Sequence, residues 1–227
     1  MPIQKESVKA VSSGGTNTIS IPITISSSAE RALFVGTSIR NSGSQTVSTV
    51  TFTLDGAEES QFFTQIAAVS NGTTVRSEIW GLLAPDSGSG TVTITLSGSC
   101  QAIGGAIEVS GVDQTGLPTT TATATGSSTS PSVTISSVTE HLVLDTVAIQ
   151  ELGTLGVPTV GSGQTEQWSL GTGILTTDVY GVGSTEPGAS SVTMDWSLLV
   201  SRPWATVTID IVASVSGFGL ALIGVGR

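Results

Sequence analysis

The sequence predicts an all-β protein, a two-sheet β-sandwich of Greek-key type built from two pseudo-repeated halves. Apolar and polar residues alternate with a period of two in segment after segment, the signature of strands with one buried face. Clusters of Gly, Ser, Asn and Pro interrupt these segments at a spacing of roughly 8 to 12 residues, as sandwiches require. The phrase "PDSGSGTVTITLSG" at 85–98 has a near counterpart in "PGASSVTMDWSL" at 187–198, so the chain supplies an equivalent hairpin twice.

Taken in chain order, the first alternating segment is "TISIPITI", which sets Ile19, Ile21, Ile23 and Ile25 on one face and Thr18, Ser20, Pro22 and Thr24 on the other. Pro22 has no N–H to give a ladder, which puts this strand at a sheet edge. "ALFVGTSI" and "HLVLDTVAI" are nearly unbroken apolar runs and read as central strands covered on both sides. Only "AEESQFFTQIAA", at 57–68, has room for a short helix. "GTVTITLSG" turns Val92, Ile94 and Leu96 inward, "SVTMDWSLLV" does so with Val192, Met194, Trp196 and Leu198, and "ATVTIDIVASV" with Val207, Ile209 and Ile211. The same alternation assigns Asp195 and Asp210 to outward faces.

The order of segments recurs. "ERALFVGTSI" leads to "VRSEIWGLLAP", the first hairpin phrase and "AIGGAIEVSGV"; "EHLVLDTVAI" leads to "DVYGVGSTEP", the second hairpin phrase and "WATVTIDIVAS". The halves cover about 30–112 and 133–213, with 115–132 as their connection. Neither is expected to close a good core alone, so one sandwich should span 18–213. Residues 1–17 read as a polar N-terminal arm and 214–227 as an apolar C-terminal tail.

Charged residues are 11% of the 227, yet the formal net charge is -10. Solubility then rests on hydroxyls, 34 Ser and 34 Thr. Seven Lys plus Arg cannot supply the basic footprint of a nucleic-acid binder. No apolar run reaches the roughly 18 residues of a spanning helix, so no membrane insertion is expected. The single cysteine, Cys100, excludes an intrachain disulfide and a cysteine-based zinc cluster. The opening "MPIQKESVKAVSSGG" has no apolar core and does not read as a secretory signal.

Candidate chemistry is sparse. His141 is the only imidazole, so any Ser-His-Asp triad must use it; at the start of a central strand it reads as a capping or packing residue. Asp145, four residues on, shares its strand face but lies about 13 Å away at strand rise. Glu58 and Glu59 read as a solvated loop pair, and "LDGAEES" and "GVDQTG" as turns rather than calcium loops. Cys100 reads as a small packed residue with no activating neighbour. The sequence therefore assigns no catalytic, cofactor or metal residue.

The succession "SEIWGLLAP", "GTVTITLSG", "AIEVSGVDQT", then "GSGQTEQW", "GSTEPGASSVTMDWS" and "WATVTIDI" resembles a β-sandwich module found in bacterial surface and adhesion proteins and in phage virion structural proteins. The resemblance implies a jelly-roll-like sandwich used for binding or assembly. On that reading the protein is a non-enzymatic virion component, such as a capsid decoration, spike or tail-associated subunit. The alternative is a carbohydrate-binding or adhesion module of a bacterial surface or secreted protein.

Two residue sets belong to these readings. Trp168 and Trp204 flank Gly- and Pro-bearing segments and are the candidates for exposed faces that stack surface glycans, whereas Trp80 and Trp196 read as core. Phe218, Leu220, Leu222, Ile223 and Val225 in the tail would be an aggregation liability in water. They are expected to contact other subunits of a homo-oligomer, a trimer or a capsid or tail lattice.

Overall fold

The structure, a computed structural model, describes residues 2–151 and 156–215. Its regular elements are all strands: β1 (Gln4–Ile25), β2 (Ala32–Arg40), β3 (Val47–Leu54), β4 (Gln61–Phe62), β5 (Thr64–Asn71), β6 (Val75–Leu83) and β7 (Gly88–Ser110), then β8 (Thr121–Ser128), β9 (Ser132–Ile135), β10 (Leu142–Gln150), β11 (Thr159–Val160), β12 (Thr165–Gly171), β13 (Val179–Pro187), β14 (Val192–Ser197) and β15 (Arg202–Ile211).

Two of these strands are long enough to serve two layers. The first part of β7 pairs with β3 and with Thr18–Ile25 of β1; its second part pairs with β2 and with Gln4–Thr16 of β1. β1 turns over at Gly14 and Gly15, where the register shifts and Gly15 takes φ +80, a conformation that an L side chain rarely adopts. The first half is thus an outer layer, β4-β3-β7-β1, over an inner layer, β1-β7-β2-β6-β5. The second half has an inner sheet, β12-β13-β10-β15-β8, and an outer one, β11-β14-β9.

The two inner layers pack face to face, so four β layers enclose three apolar cores. Ile19, Ile21, Val35, Phe52 and Ile94 fill the first half, and Val147, Trp196, Val133 and Met194 the second. Phe34, Ile79, Ile107, Leu144, Val207 and Ile209 lie between the halves. This arrangement explains the unbroken apolar runs. Leu33 and Val35 of β2 face the first core while Ala32 and Phe34 face the middle one, so both faces of the strand must be apolar.

The expected all-β sandwich forms, but with three hydrogen-bonded sheets rather than two, because each half closes a core of its own as well as sharing the middle one. Residues 4–17, expected in a free arm, belong to β1, where the ladder to β7 satisfies their backbone groups. Residues 57–68 hold no helix. Pairing of β4 with β3 and of β5 with β6 claims that segment, and a weak helical stripe cannot compete with two ladders. Pro22 sits where expected, on a stretch of β1 that pairs with β7 alone. The tail residues Phe218, Leu220, Leu222, Ile223 and Val225 lie outside the described residues.

The halves are locked by one side chain. Trp168 of β12 lies over Gly183, its cross-strand neighbour, and reaches across the middle core onto Gly36 and Gly105, which face each other in the β2–β7 ladder. A methyl group at Gly105 or Gly183 would overlap the indole, and one at Gly36 would lie 2.8 Å from it. Ser77 adds a polar stitch: its hydroxyl accepts from the Ala148 N–H at 2.9 Å and donates to the Ala205 carbonyl at 2.8 Å.

Trp168→Ala is therefore expected to cost about 3–5 kcal/mol of unfolding free energy, read from urea titration. Gly105→Ala should also destabilise, because the neighbouring indole has no room to move. A fragment starting at Thr121 would uncover Leu144, Val207, Ile209 and Ile211; it should aggregate and bind a hydrophobic dye. A soluble, folded fragment of that kind would contradict the shared middle core.

Candidate functional site

The residues with the best claim to chemistry meet at one end of the second half. His141 Nδ1 lies 2.9 Å from Asp210 Oδ2, and Ser137 donates its hydroxyl to Asp210 Oδ1 at 2.5 Å. The trio contains the residue types of a hydrolase triad in the wrong order. The carboxylate stands between serine and imidazole, so the hydroxyl lacks the imidazole contact through which a triad activates its serine. The alternation of β15 assigns Asp210 to an outward face, but it is buried. That face of β15 looks into the second core, and the carboxylate ties the segment before β10 to the last strand. Glu108 does the same in the first half, accepting from the Ser26 N–H at 2.8 Å, the Ser26 hydroxyl at 2.7 Å and the Ser7 hydroxyl at 3.0 Å.

Two further carboxylates are fully buried. Glu78 accepts from Gln65 Nε2 and Arg76 Nε, both at 2.6 Å, from the Trp80 indole at 2.9 Å and from the Val47 N–H at 3.0 Å. It thereby joins β3, β5 and β6. Asp145 accepts from the Ser184 N–H at 2.7 Å, the Ser184 hydroxyl at 2.8 Å and the Trp196 indole at 2.9 Å, which pins the outer strand β14 to the inner sheet. Burial raises the Asp145 pKa to about 6, with the three donors pulling the other way. Glu186 is also raised, by burial and then by neighbouring Asp195. The signal for two of these residues was present in the sequence, since Asp145 and Glu108 each interrupt an apolar run, but alternation alone could not say that they were paired.

Cys100 is buried and its thiol is pushed up to about 11 by desolvation, which leaves almost no thiolate at neutral pH. Among the described residues no group of three or more His, Cys, Asp or Glu side chains could hold a metal ion.

Both tryptophans expected to be exposed are buried. Trp168 is 4% exposed, in its glycine slot, and Trp204 is 6% exposed in the second core, its indole donating to Ser128 at 3.0 Å. Neither offers a face on which a sugar could stack, because each ring fills space left by distant glycines, Gly36, Gly105 and Gly183 for Trp168 and Gly126 for Trp204. Trp80 and Trp196 are core residues, as expected.

The surface itself is organised. Both halves point the same way, since Ser38 donates to the Val147 carbonyl at 3.0 Å, Arg40 Nε to the Thr176 carbonyl at 3.2 Å, and Val112 bridges Ala213. One end of the stack therefore carries residues 26–31, 55–60, 84–87, 111–120, 136–141 and 188–191, and the other carries 41–46, 71–74, 128–131, 156–158, 172–178 and 198–201. The exposed carboxylates, Glu6, Glu30, Asp55, Glu58, Glu59, Asp86, Glu140 and Glu166, all belong to the first end. Among the described residues the acids at the second end are Glu151 and Asp178, both buried. Five exposed aliphatic side chains, Val157, Ile174, Leu175, Leu199 and Val200, gather there, whereas exposed Phe62, Val138 and Val215 lie toward the first end among its carboxylates.

No protein-family model, curated protein or solved structure matches the chain.

Asp145 generates a pH prediction. Its folded-state pKa of about 6 lies above the ordinary 3.8, so between those values the native state holds a proton that the unfolded chain has released. Stability from this group accordingly falls as pH rises through the window. Asp145→Asn should flatten that part of the stability–pH curve in urea titrations at acid and neutral pH. An unchanged slope would show that Asp145 titrates normally.

Proposed function

We propose that this protein is a non-enzymatic structural subunit that works by assembly, a virion component such as a capsid decoration, spike or tail-associated protein. The observation that carries the reading is the cluster of five exposed aliphatic side chains at the end of the stack that has no exposed carboxylate among the described residues. An apolar cluster of this kind is unfavourable in water and is stabilised by a second surface. The layers behind it are clamped by Trp168 and by buried carboxylates, so the loops are presented on a rigid support. The outer layers suit a particle surface. In register, Thr49, Thr95 and Thr18 lie abreast, followed by Thr51, Thr93 and Ser20, so hydroxyls rather than charges carry the hydration.

Assembly into a homo-oligomer, a trimer in the jelly-roll-like reading, or into a lattice follows from this proposal. Negative-stain electron microscopy and sedimentation of the purified full chain at increasing concentration should show discrete oligomers or ordered arrays. A field of monomers at every concentration up to the millimolar range would count against an assembly role.

A further inference from the structure

We infer that the end of the stack without exposed carboxylates is a self-association surface whose occupant is the same end of a second copy of this chain, an inference that rests on the assembly reading above. Three loops build it. The loop before β11 brings Val157, the β12–β13 loop Ile174 and Leu175, and the β14–β15 loop Leu199 and Val200. Leu199 is 78% exposed and Ile174 67%. The β12–β13 loop is held in place by its own chemistry. Asp178 accepts from the Leu175 N–H at 2.7 Å, and the Glu151 N–H donates to the Asp178 carbonyl at 3.2 Å. Arg40, from the other half, donates to the Thr176 carbonyl at 3.2 Å. Leu199 packs against Gly156, where an added methyl would lie 2.5 Å from Leu199 Cδ1. With the β12–β13 loop anchored in this way, its apolar tips Ile174 and Leu175 are pre-organised, so little ordering entropy opposes their burial.

Charge selects the occupant. Each copy carries a net charge of -10, and at the opposite end two copies would bring their exposed carboxylates together. In an end-to-end contact through the apolar loops those carboxylates stand a full strand length from the interface. β2 and β10 have nine residues each, about 30 Å at strand rise, several times the Debye length of about 8 Å at physiological salt. The cations named at this end are held in place by backbone carbonyls, Arg40 by those of Thr74 and Thr176 and Arg202 by that of Ser201. A self-complementary patch that meets its own copy about a two-fold axis closes without growing further.

The test is sedimentation equilibrium of the full chain and of the Leu175→Asp/Leu199→Asp double variant. The wild type should dimerise, or assemble through dimers, and the variant should associate at least about a hundredfold more weakly, two decades in Kd. Both side chains are exposed, so circular dichroism and the thermal midpoint should stay at wild-type values; Leu199→Ser is the milder second variant should the charges perturb the loop. Val138→Asp, exposed at the carboxylate end, should leave association unchanged. If the wild type assembles and the double variant assembles equally well, this surface is the wrong one while the assembly reading stands; loss of association on deleting 216–227 alone would then transfer the contact to the tail. A wild type that stays monomeric overturns both. A monomer that floats with zwitterionic phosphatidylcholine vesicles, and loses them in the double variant, would make the occupant a bilayer and overturn the second-copy proposal.

Discussion

The insertion of the Trp168 indole into the slot formed by Gly36, Gly105 and Gly183 is the constraint on which the rest of the structure depends. Two sheets that face each other normally interdigitate at about 10 Å through medium-sized side chains. Here one large ring from the second half occupies space that three residues vacate by having no side chain at all. The ring fixes the lateral position of the two inner layers, because a shift in either direction along the strands would drive it into Thr146, or into the side chains next to the glycines. Everything that follows from alignment of the halves follows from this contact. The hydroxyl stitches of Ser38 and Ser77 find their carbonyls, and Arg40 of one half reaches the loop of the other.

Six carboxylates are buried among the described residues; burial is costly unless each is paired, and Glu78, Glu108, Asp145 and Asp210 draw their donors from neighbouring segments. Glu108 and Asp210 occupy matching places on the last inner strand of each half and hold the segment that enters the next strand. Asp145 and Glu78 each take an indole N–H, which orients a tryptophan that a purely apolar environment would leave free to rotate. These acids act as joints. Their placement also leaves fewer carboxylates for the surface, and those that remain are grouped at one end.

That grouping connects the fold to assembly. A strand stack of this kind has two chemically independent ends, because loops at opposite ends are about a strand length apart and share no side-chain contacts. Hydroxyl-bearing outer layers need no charge to stay hydrated, and in the proposed assembly the acidic end would supply repulsion between copies. The other end is then free to carry aliphatic tips at little electrostatic cost. The proposed subunit therefore has a polarity, with a face that repels and a face that joins.

Alternation in "TISIPITI", "GTVTITLSG" and "ATVTIDIVASV" was enough to identify strands and most of the core, because a period of two in apolar residues reports directly which side of a pleat meets water. Alternation could not say whether the second face of a strand meets water or another sheet. Asp210 and Trp204 lie on one face of β15 and Val207 and Ile209 on the other, and both faces turned out to be buried. Nor could local pattern reveal that the glycines of β2, β7 and β13 form a single slot, since Gly36, Gly105 and Gly183 are far apart in the chain and converge only when the layers stack. The sequence by itself determined the strands and their apolar faces, which depend on neighbours one to four residues away. Only the tertiary structure decided the number of layers, the burial of Trp168 and the separation of charged from apolar ends, because these depend on which distant surfaces exclude water from one another.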